Sequence, residues 1–76
     1  MKYTDGATIE PGDMIQIDGR DRGKVIASMD TDQYLPGAEH WSYLGIGIMV
    51  ETDFAGKIHY TESASDQLEL IERAKT

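Results

Sequence analysis

Residues 11–28 read PGDMIQIDGRDRGKVIAS, and the alternation of apolar and polar residues in this stretch decides the fold. The opening Pro-Gly pair suits a turn, because proline presets φ and glycine tolerates the next corner. Ile15 and Ile17 then fall on one side of an extended chain, with Met14, Gln16 and Asp18 on the other side. This period of two predicts a β-strand over residues 13–18 that has one face in the core.

A second strand follows across a loop that contains two glycines. The loop covers residues 18–23 and the strand covers residues 24–30, in which Val25, Ala27 and Met29 share one face. Glycine adopts positive φ without steric cost, so the loop favours a hairpin that pairs the two strands.

The following part of the chain continues as short apolar runs between turn residues. Strands are predicted over residues 42–52 and 57–62, and a hairpin turn at residues 53–56 joins them. The first of these runs carries Gly45 and Gly47 on one face, which suits a sharply coiled strand or a close approach by another element.

The C-terminal segment leaves two structures open. Residues 67–71 fit a last strand with Leu68 and Leu70 inward. The alternative is a short helix that follows a Ser or Asp N-cap and ends near Arg73 or Lys75. The strand is favoured, because a five-stranded barrel needs it for closure.

These elements predict an all-β fold in one domain that spans residues 1–76. We expect a small antiparallel barrel of about five strands, with the short C-terminal helix as the alternative. The predicted core consists of inward-facing apolar residues: Ile15, Ile17, Val25, Ala27, Leu44, Ile46, Ile48, Val50, Ile58, Tyr60 and Leu68. Such a small core gives marginal stability, which leaves homodimerisation open.

The stretch 11–28 resembles the opening of an SH3-like barrel of the KOW type. The shared residues form a Gly-Asp entry, two alternating aliphatics, and a glycine two positions before a valine: Gly12, Asp13, Ile15, Ile17, Gly23 and Val25. The resemblance implies the barrel fold, but KOW modules bind RNA or ribosomal proteins, and this chain lacks a basic strand face. The chain also resembles small acidic proteins of bacterial mobile gene cassettes, which implies no activity.

The charge balance restricts the partners. The chain carries 14 Asp and Glu against 7 Lys and Arg, for a formal net charge of −7. Nucleic-acid binders place Lys and Arg against phosphates, so binding to nucleic acid or to an anionic membrane is disfavoured. An acidic surface favours a basic protein partner or a cationic ligand instead.

Several classes of protein are excluded by what the sequence lacks. Without cysteine there are no disulfides, thiolate metal sites or thiol nucleophiles. No apolar run resembles a secretory signal or reaches the length of a membrane span. We therefore expect a cytoplasmic protein.

The loop that contains Arg20, Arg22 and Lys24 is the first candidate site. Three basic side chains at a glycine-lined tip could clamp a phosphate or carboxylate. However, no phosphate-loop spacing is present, and Asp18 and Asp21 lie between the bases. A solvated hairpin is the favoured interpretation, and nucleic-acid contact through this loop is the weaker alternative.

No catalytic residue, metal ligand or cofactor is predicted. His40 and His59 lie in no recognised ligand spacing, and none of the carboxylates or serines stands in a catalytic motif. A small-molecule site or a minimal enzyme would have to form between two subunits, and this is the second functional hypothesis.

An aromatic stretch supplies the favoured binding site, formed by Tyr34, Glu39, His40, Trp41 and Tyr43. Tyrosine and tryptophan are common anchors of protein interfaces. Trp41 also suits the core, because tryptophan is highly buried on average, and this role is favoured for it. We therefore expect a non-catalytic module that docks a basic protein partner through residues 34–43 and an acidic surface.

Overall fold

The computed structural model describes residues 1–73, which form one antiparallel β-sheet of six strands. The strands follow one another as β1 (Met14–Ile17), β2 (Asp21–Ser28), β3 (Gln33–Tyr34), β4 (Ile48–Thr52), β5 (Gly56–Tyr60) and β6 (Leu68–Glu72). Their order in the sheet is β5-β4-β2-β1-β6, and β3 pairs with the end of β2. A first 3-10 helix covers Glu39–Leu44 and a second covers Glu62–Gln67. The predicted all-β class is confirmed.

The hairpin between β1 and β2 is tighter than the sequence predicted. Ile17 pairs with Asp21, and the turn between them uses positive φ at Asp18 and Gly19. β2 therefore begins at Asp21, and Gly23 lies inside the strand. A Cβ on Gly23 would come within 2.6 Å of Cγ1 of Val50, so this glycine allows β2 and β4 to pack closely.

A β-bulge at Ile26 changes the face of the sheet to which the following side chains of β2 point. Val25 pairs with Val50 on β4, whereas Ala27 pairs with Met49, so β2 contains one extra residue. Val50 and Met49 are consecutive residues of β4, so their side chains point to opposite faces of the sheet. Their partners Val25 and Ala27 therefore also point to opposite faces, although they are two residues apart. The predicted common face of Val25 with Ala27 and Met29 is therefore wrong.

Each face of the sheet packs its own group of buried residues. The inner core comprises Met1, Tyr3, Ile9, Ile15, Ile17, Val25, Ile48, Val50 and Leu68. The outer core comprises Ala27, Met29, Ala38 and Met49, with Ile26, Tyr34, Trp41 and Leu44 packed against it. The outer core is much smaller, and it exists because the chain after β2 folds back over the sheet.

The predicted strand over residues 42–52 is correct only in its second half. Residues 42–44 belong to the first 3-10 helix, and β4 begins at Ile48. Gly45 and Gly47 have φ of +77° and +83°, which interrupts an extended chain. Ile46, expected in the core, is consequently 59 % exposed.

The sheet formed by residues 1–73 is not closed into a barrel, in contrast to the prediction. β5 and β6 are the two ends of the strand order. The second 3-10 helix joins them and contacts both strands in place of a ladder between them. Ile58 and Tyr60, expected in the core, are therefore only half-buried on the edge strand β5.

The C-terminal segment is a strand, as the favoured alternative stated. β6 pairs antiparallel with β1, opposite to the neighbour β2, and its Leu68 is fully buried. Leu70 is half-buried and packs against the inner core. The alternative helix end at Lys75 lies outside the described residues.

Asp13, at the entry to β1, is a fully buried residue that connects distant parts of the chain. Its Oδ2 accepts hydrogen bonds from the Tyr3 hydroxyl at 2.7 Å, the Glu10 amide at 3.0 Å and Nη1 of Arg73 at 3.1 Å. Burial, followed by the hydrogen bond to Asp13, raises the pKa of Tyr3 well above its ordinary value. Tyr3 is therefore a permanent donor to this carboxylate.

Replacing Gly47 by alanine should destabilise the fold by about 2 kcal/mol or more, because the backbone is left-handed and the Cβ would overlap the carbonyl of Tyr60. Gly45→Ala is the matched control, since its φ is also positive but nothing lies within 4 Å of the added Cβ. It should cost about 1 kcal/mol. Urea unfolding measures both, and equal losses would contradict the close approach at Gly47.

Candidate functional site

The aromatic loop, defined as residues 34–43, lies on the outer face of the sheet. It starts in β3, which pairs with the end of β2, and it ends in the first 3-10 helix. Leu35 donates its amide to the carbonyl of Ile26 at 2.9 Å, which fixes the loop to the bulged residue of β2. The bulge thus positions the loop as well as the outer core.

Hydrogen bonds join the two ends of residues 29–47, the segment that carries this loop. The Met29 amide donates to the Gly47 carbonyl at 2.9 Å, and the Gly47 amide donates to Oδ1 of Asp30 at 3.1 Å. Nε2 of His59 on β5 lies 2.7 Å from the carbonyl oxygen of Ile46. These contacts hold the loop over the sheet at its base.

Three aromatic side chains of the loop form a connected group. The ring centroids of His40 and Trp41 lie 4.6 Å apart, and those of Trp41 and Tyr43 lie 6.4 Å apart. Trp41 is half-buried against the outer core, His40 is exposed, and Tyr43 is 74 % exposed. The half-buried indole thus supports two solvent-facing rings.

The other two predicted binding residues have local structural contacts. Tyr34 is half-buried against the outer core rather than exposed. Burial and a hydrogen bond with Asp32 raise its pKa. Glu39 accepts hydrogen bonds from the Gly37 amide at 3.2 and 3.0 Å through its two carboxylate oxygens. The group of exposed side chains available for binding is therefore smaller than the predicted set of residues.

A cleft of about 320 Å³ lies where the aromatic loop meets the sheet. One wall is apolar, formed by Ile26, Leu35, Pro36 and Trp41, among others. The charged row, defined as Lys24, Glu51 and Lys57, also lines the cleft together with His40. Sequence reasoning missed this cleft because its lining comes from three strands and a loop.

Cross-strand pairing produces the charged row. Glu51 on β4 is opposite Lys24 on β2 and opposite Lys57 on β5. Nζ of Lys57 lies 3.6 Å from Oε2 of Glu51. Among residues 1–73, Lys24 has no carboxylate within ion-pair distance. The row therefore contains two ammonium groups and only one carboxylate.

The predicted basic loop does not form a single tip. Nε of Arg20 lies 3.9 Å from a carboxylate oxygen of Asp21, at the turn. Arg22 and Lys24 lie on β2 itself and line a second cleft, together with Glu51 and Asp53. Of the three bases, Lys24 lines both clefts, Arg22 lines only the second and Arg20 lines neither, so they do not converge on one ligand.

In residues 1–73 no three His, Asp or Glu side chains lie together as a metal site would need. The same part of the chain contains no helix with the length and hydropathy to cross a membrane. The chain matches no protein-family model, and comparisons with curated proteins and with solved structures find no similar protein.

Asp30, at the base of the loop segment, has a pKa below its ordinary value. Burial acts to raise the pKa of Asp30, but hydrogen bonds from the Met1 amino group and the Gly47 amide lower this pKa. The charges of that amino group and of His59 act in the same direction. Deprotonated Asp30 therefore stabilises the folded state.

Because its pKa is lower in the folded than in the unfolded protein, Asp30 contributes its full stability above the unfolded value of 3.8. This contribution is lost as the pH falls through the folded pKa. Asp30→Asn should therefore destabilise the protein at pH 6 and have a smaller effect near pH 3. Urea unfolding across this range measures the difference, and a difference that grows toward low pH would contradict the assignment.

Proposed function

We propose that this protein is a non-catalytic binding module that docks a protein partner through the outer side of the aromatic loop. The observation that carries the proposal is Tyr43, which is 74 % exposed although it belongs to a connected group of rings. Ile46, three residues later, is 59 % exposed. A tyrosine and an isoleucine that face solvent on one short segment fit the anchor residues of an interface.

The support beneath this segment favours binding over a purely structural role. The first 3-10 helix packs Trp41 and Leu44 against the outer core. Asp30 and His59 bond to the backbone of Gly47 and Ile46 just after this helix. A surface that is already ordered loses less conformational entropy when a partner binds. The net charge of −7 would steer a basic partner toward the protein.

The two other hypotheses have weaker support. Nucleic-acid contact through Arg20, Arg22 and Lys24 is disfavoured, because carboxylates of Asp21, Glu51 and Asp53 lie among these bases. For a small-molecule site or a minimal enzyme between two subunits, residues 1–73 offer no identified pair of acid and base groups. Protein binding by the aromatic loop therefore remains the proposal that the geometry supports best.

A photo-crosslinking amino acid at position 43 tests the proposal in extracts of the native host. We expect a discrete adduct with one partner, because the side chain at this position points to solvent at the proposed interface. The same amino acid at position 54 is the matched control, since Phe54 is also an exposed aromatic residue, 52 % accessible, but lies at the β4–β5 turn.

Competition distinguishes specific docking from general stickiness. An excess of unlabelled protein should abolish the adduct, whereas the double variant Tyr43→Ala, Ile46→Ser should compete at least about tenfold less well, as expected for loss of an anchor residue. Identical adducts from positions 43 and 54, or full competition by the double variant, would reject this surface.

A further inference from the structure

We propose that the cleft beneath the aromatic loop binds a small aromatic carboxylate. This site goes beyond the proposed protein-binding role, because Tyr43 and Ile46 do not line the cleft. The cleft volume of about 320 Å³ reaches the lower end of the roughly 300–1,000 Å³ found for ligand sites. It is therefore large enough for a ligand of about one ring system.

The apolar wall selects the body of the ligand. Ile26 and Leu35 lie on either side of the hydrogen bond that fixes the loop, and Pro36 and Trp41 extend the wall. A flat ring buried against these side chains gains hydrophobic and dispersion energy without any hydrogen bond of its own. The wall thus fits an aromatic ring better than a sugar or a polyol.

The net charge of the charged row determines which charge a ligand should carry. Lys57 is already paired with Glu51 at 3.6 Å, which leaves the ammonium group of Lys24 without a carboxylate among the described residues. The three side chains carry a net charge of one positive unit, on a protein whose overall charge is −7. One carboxylate of a ligand would neutralise this net positive charge.

The charge balance also excludes more highly charged ligands. Glu51 lies in the row itself, and Asp53 lines the adjoining cleft that shares Lys24 and Glu51. A phosphate with two negative charges would exceed the net charge of one positive unit on the row, and the neighbouring carboxylates would disfavour it further. A ligand with one negative charge is the best match to a single unpaired ammonium group.

Trp41, in the apolar wall, also carries a buried polar group without a partner in the described part of the chain. Its Nε1–H is buried and has no hydrogen-bond acceptor within residues 1–73. A buried donor without an acceptor is unfavourable, and such groups are rare in folded proteins.

The unique indole signal of Trp41 in a ¹H–¹⁵N NMR spectrum provides the test, because the chain contains one tryptophan. Phenylacetate is the probe, and 2-phenylethanol is its neutral control. We expect a saturable shift of the indole signal with a Kd of about 1 mM or lower for phenylacetate, and binding at least about tenfold weaker for the alcohol.

Two lysine variants identify the charge that acts. Lys24→Gln should weaken phenylacetate binding about tenfold, the effect of losing one charge-assisted contact. Lys2→Gln removes an exposed lysine outside the cleft lining and should leave binding unchanged. Lys24 is exposed on a strand, so the dispersion of the amide spectrum should show that the variant still folds.

The same carboxylate chemistry occurs at the end of a polypeptide that terminates in phenylalanine, so N-acetyl-Gly-Phe is tested beside phenylacetate. Tighter binding of the peptide would assign the cleft to a chain terminus, and tighter binding of phenylacetate would assign it to a free small molecule. No saturable shift up to about 10 mM of either acid would overturn the proposal. Equal binding of acid and alcohol, or of Lys24→Gln and the unchanged protein, would also overturn it.

Discussion

A single buried carboxylate, that of Asp13, connects the two ends of the described chain to the first hairpin. Its Oδ2 accepts from Tyr3 near one end, from Arg73 at the other, and from the amide of Glu10 in the turn before β1. An isolated buried charge is very costly, so these donors are needed for Asp13 to occupy this position. The N-terminal segment, β1 and the residue after β6 are thereby held in one arrangement.

This arrangement determines how the rest of the chain is used. With β6 held against β1 and the N-terminal segment over the inner face, the inner core is complete without residues from the long segment between β2 and β4. That segment is free to cover the other face. It forms the outer core on Met49 and Ala27, and it leaves the cleft and the exposed Tyr43 at its margin.

The sequence predicted those parts of the fold that depend on local alternation. Ile15 and Ile17 alternate with Met14 and Gln16 over an uninterrupted strand, and the pattern therefore located β1 correctly. The bulge at Ile26 was not predicted, because a single extra residue leaves an apolar run unchanged in composition while it reverses the faces. Closure of the barrel was also predicted wrongly, since it depends on whether two distant edge strands meet.

The candidate site was predicted only in part, for the same reason. The aromatic loop is contiguous in sequence, so Trp41 and Tyr43 could be selected from their residue types. Glu51 and Lys57 join Lys24 only through the pairing of three strands, and no spacing along the chain reveals that register. The resemblance to SH3-like barrels stays a prediction.

The most direct test of the central role of Asp13 is a double-mutant cycle with Tyr3, measured by urea unfolding. Asp13→Asn should cost about 2 kcal/mol and Tyr3→Phe about 1 kcal/mol, because each removes part of one buried hydrogen-bond network. The double variant should lose about 1 kcal/mol less than the sum, since both changes remove the same bond. Strict additivity, or an Asp13→Asn variant as stable as the unchanged protein, would contradict the account.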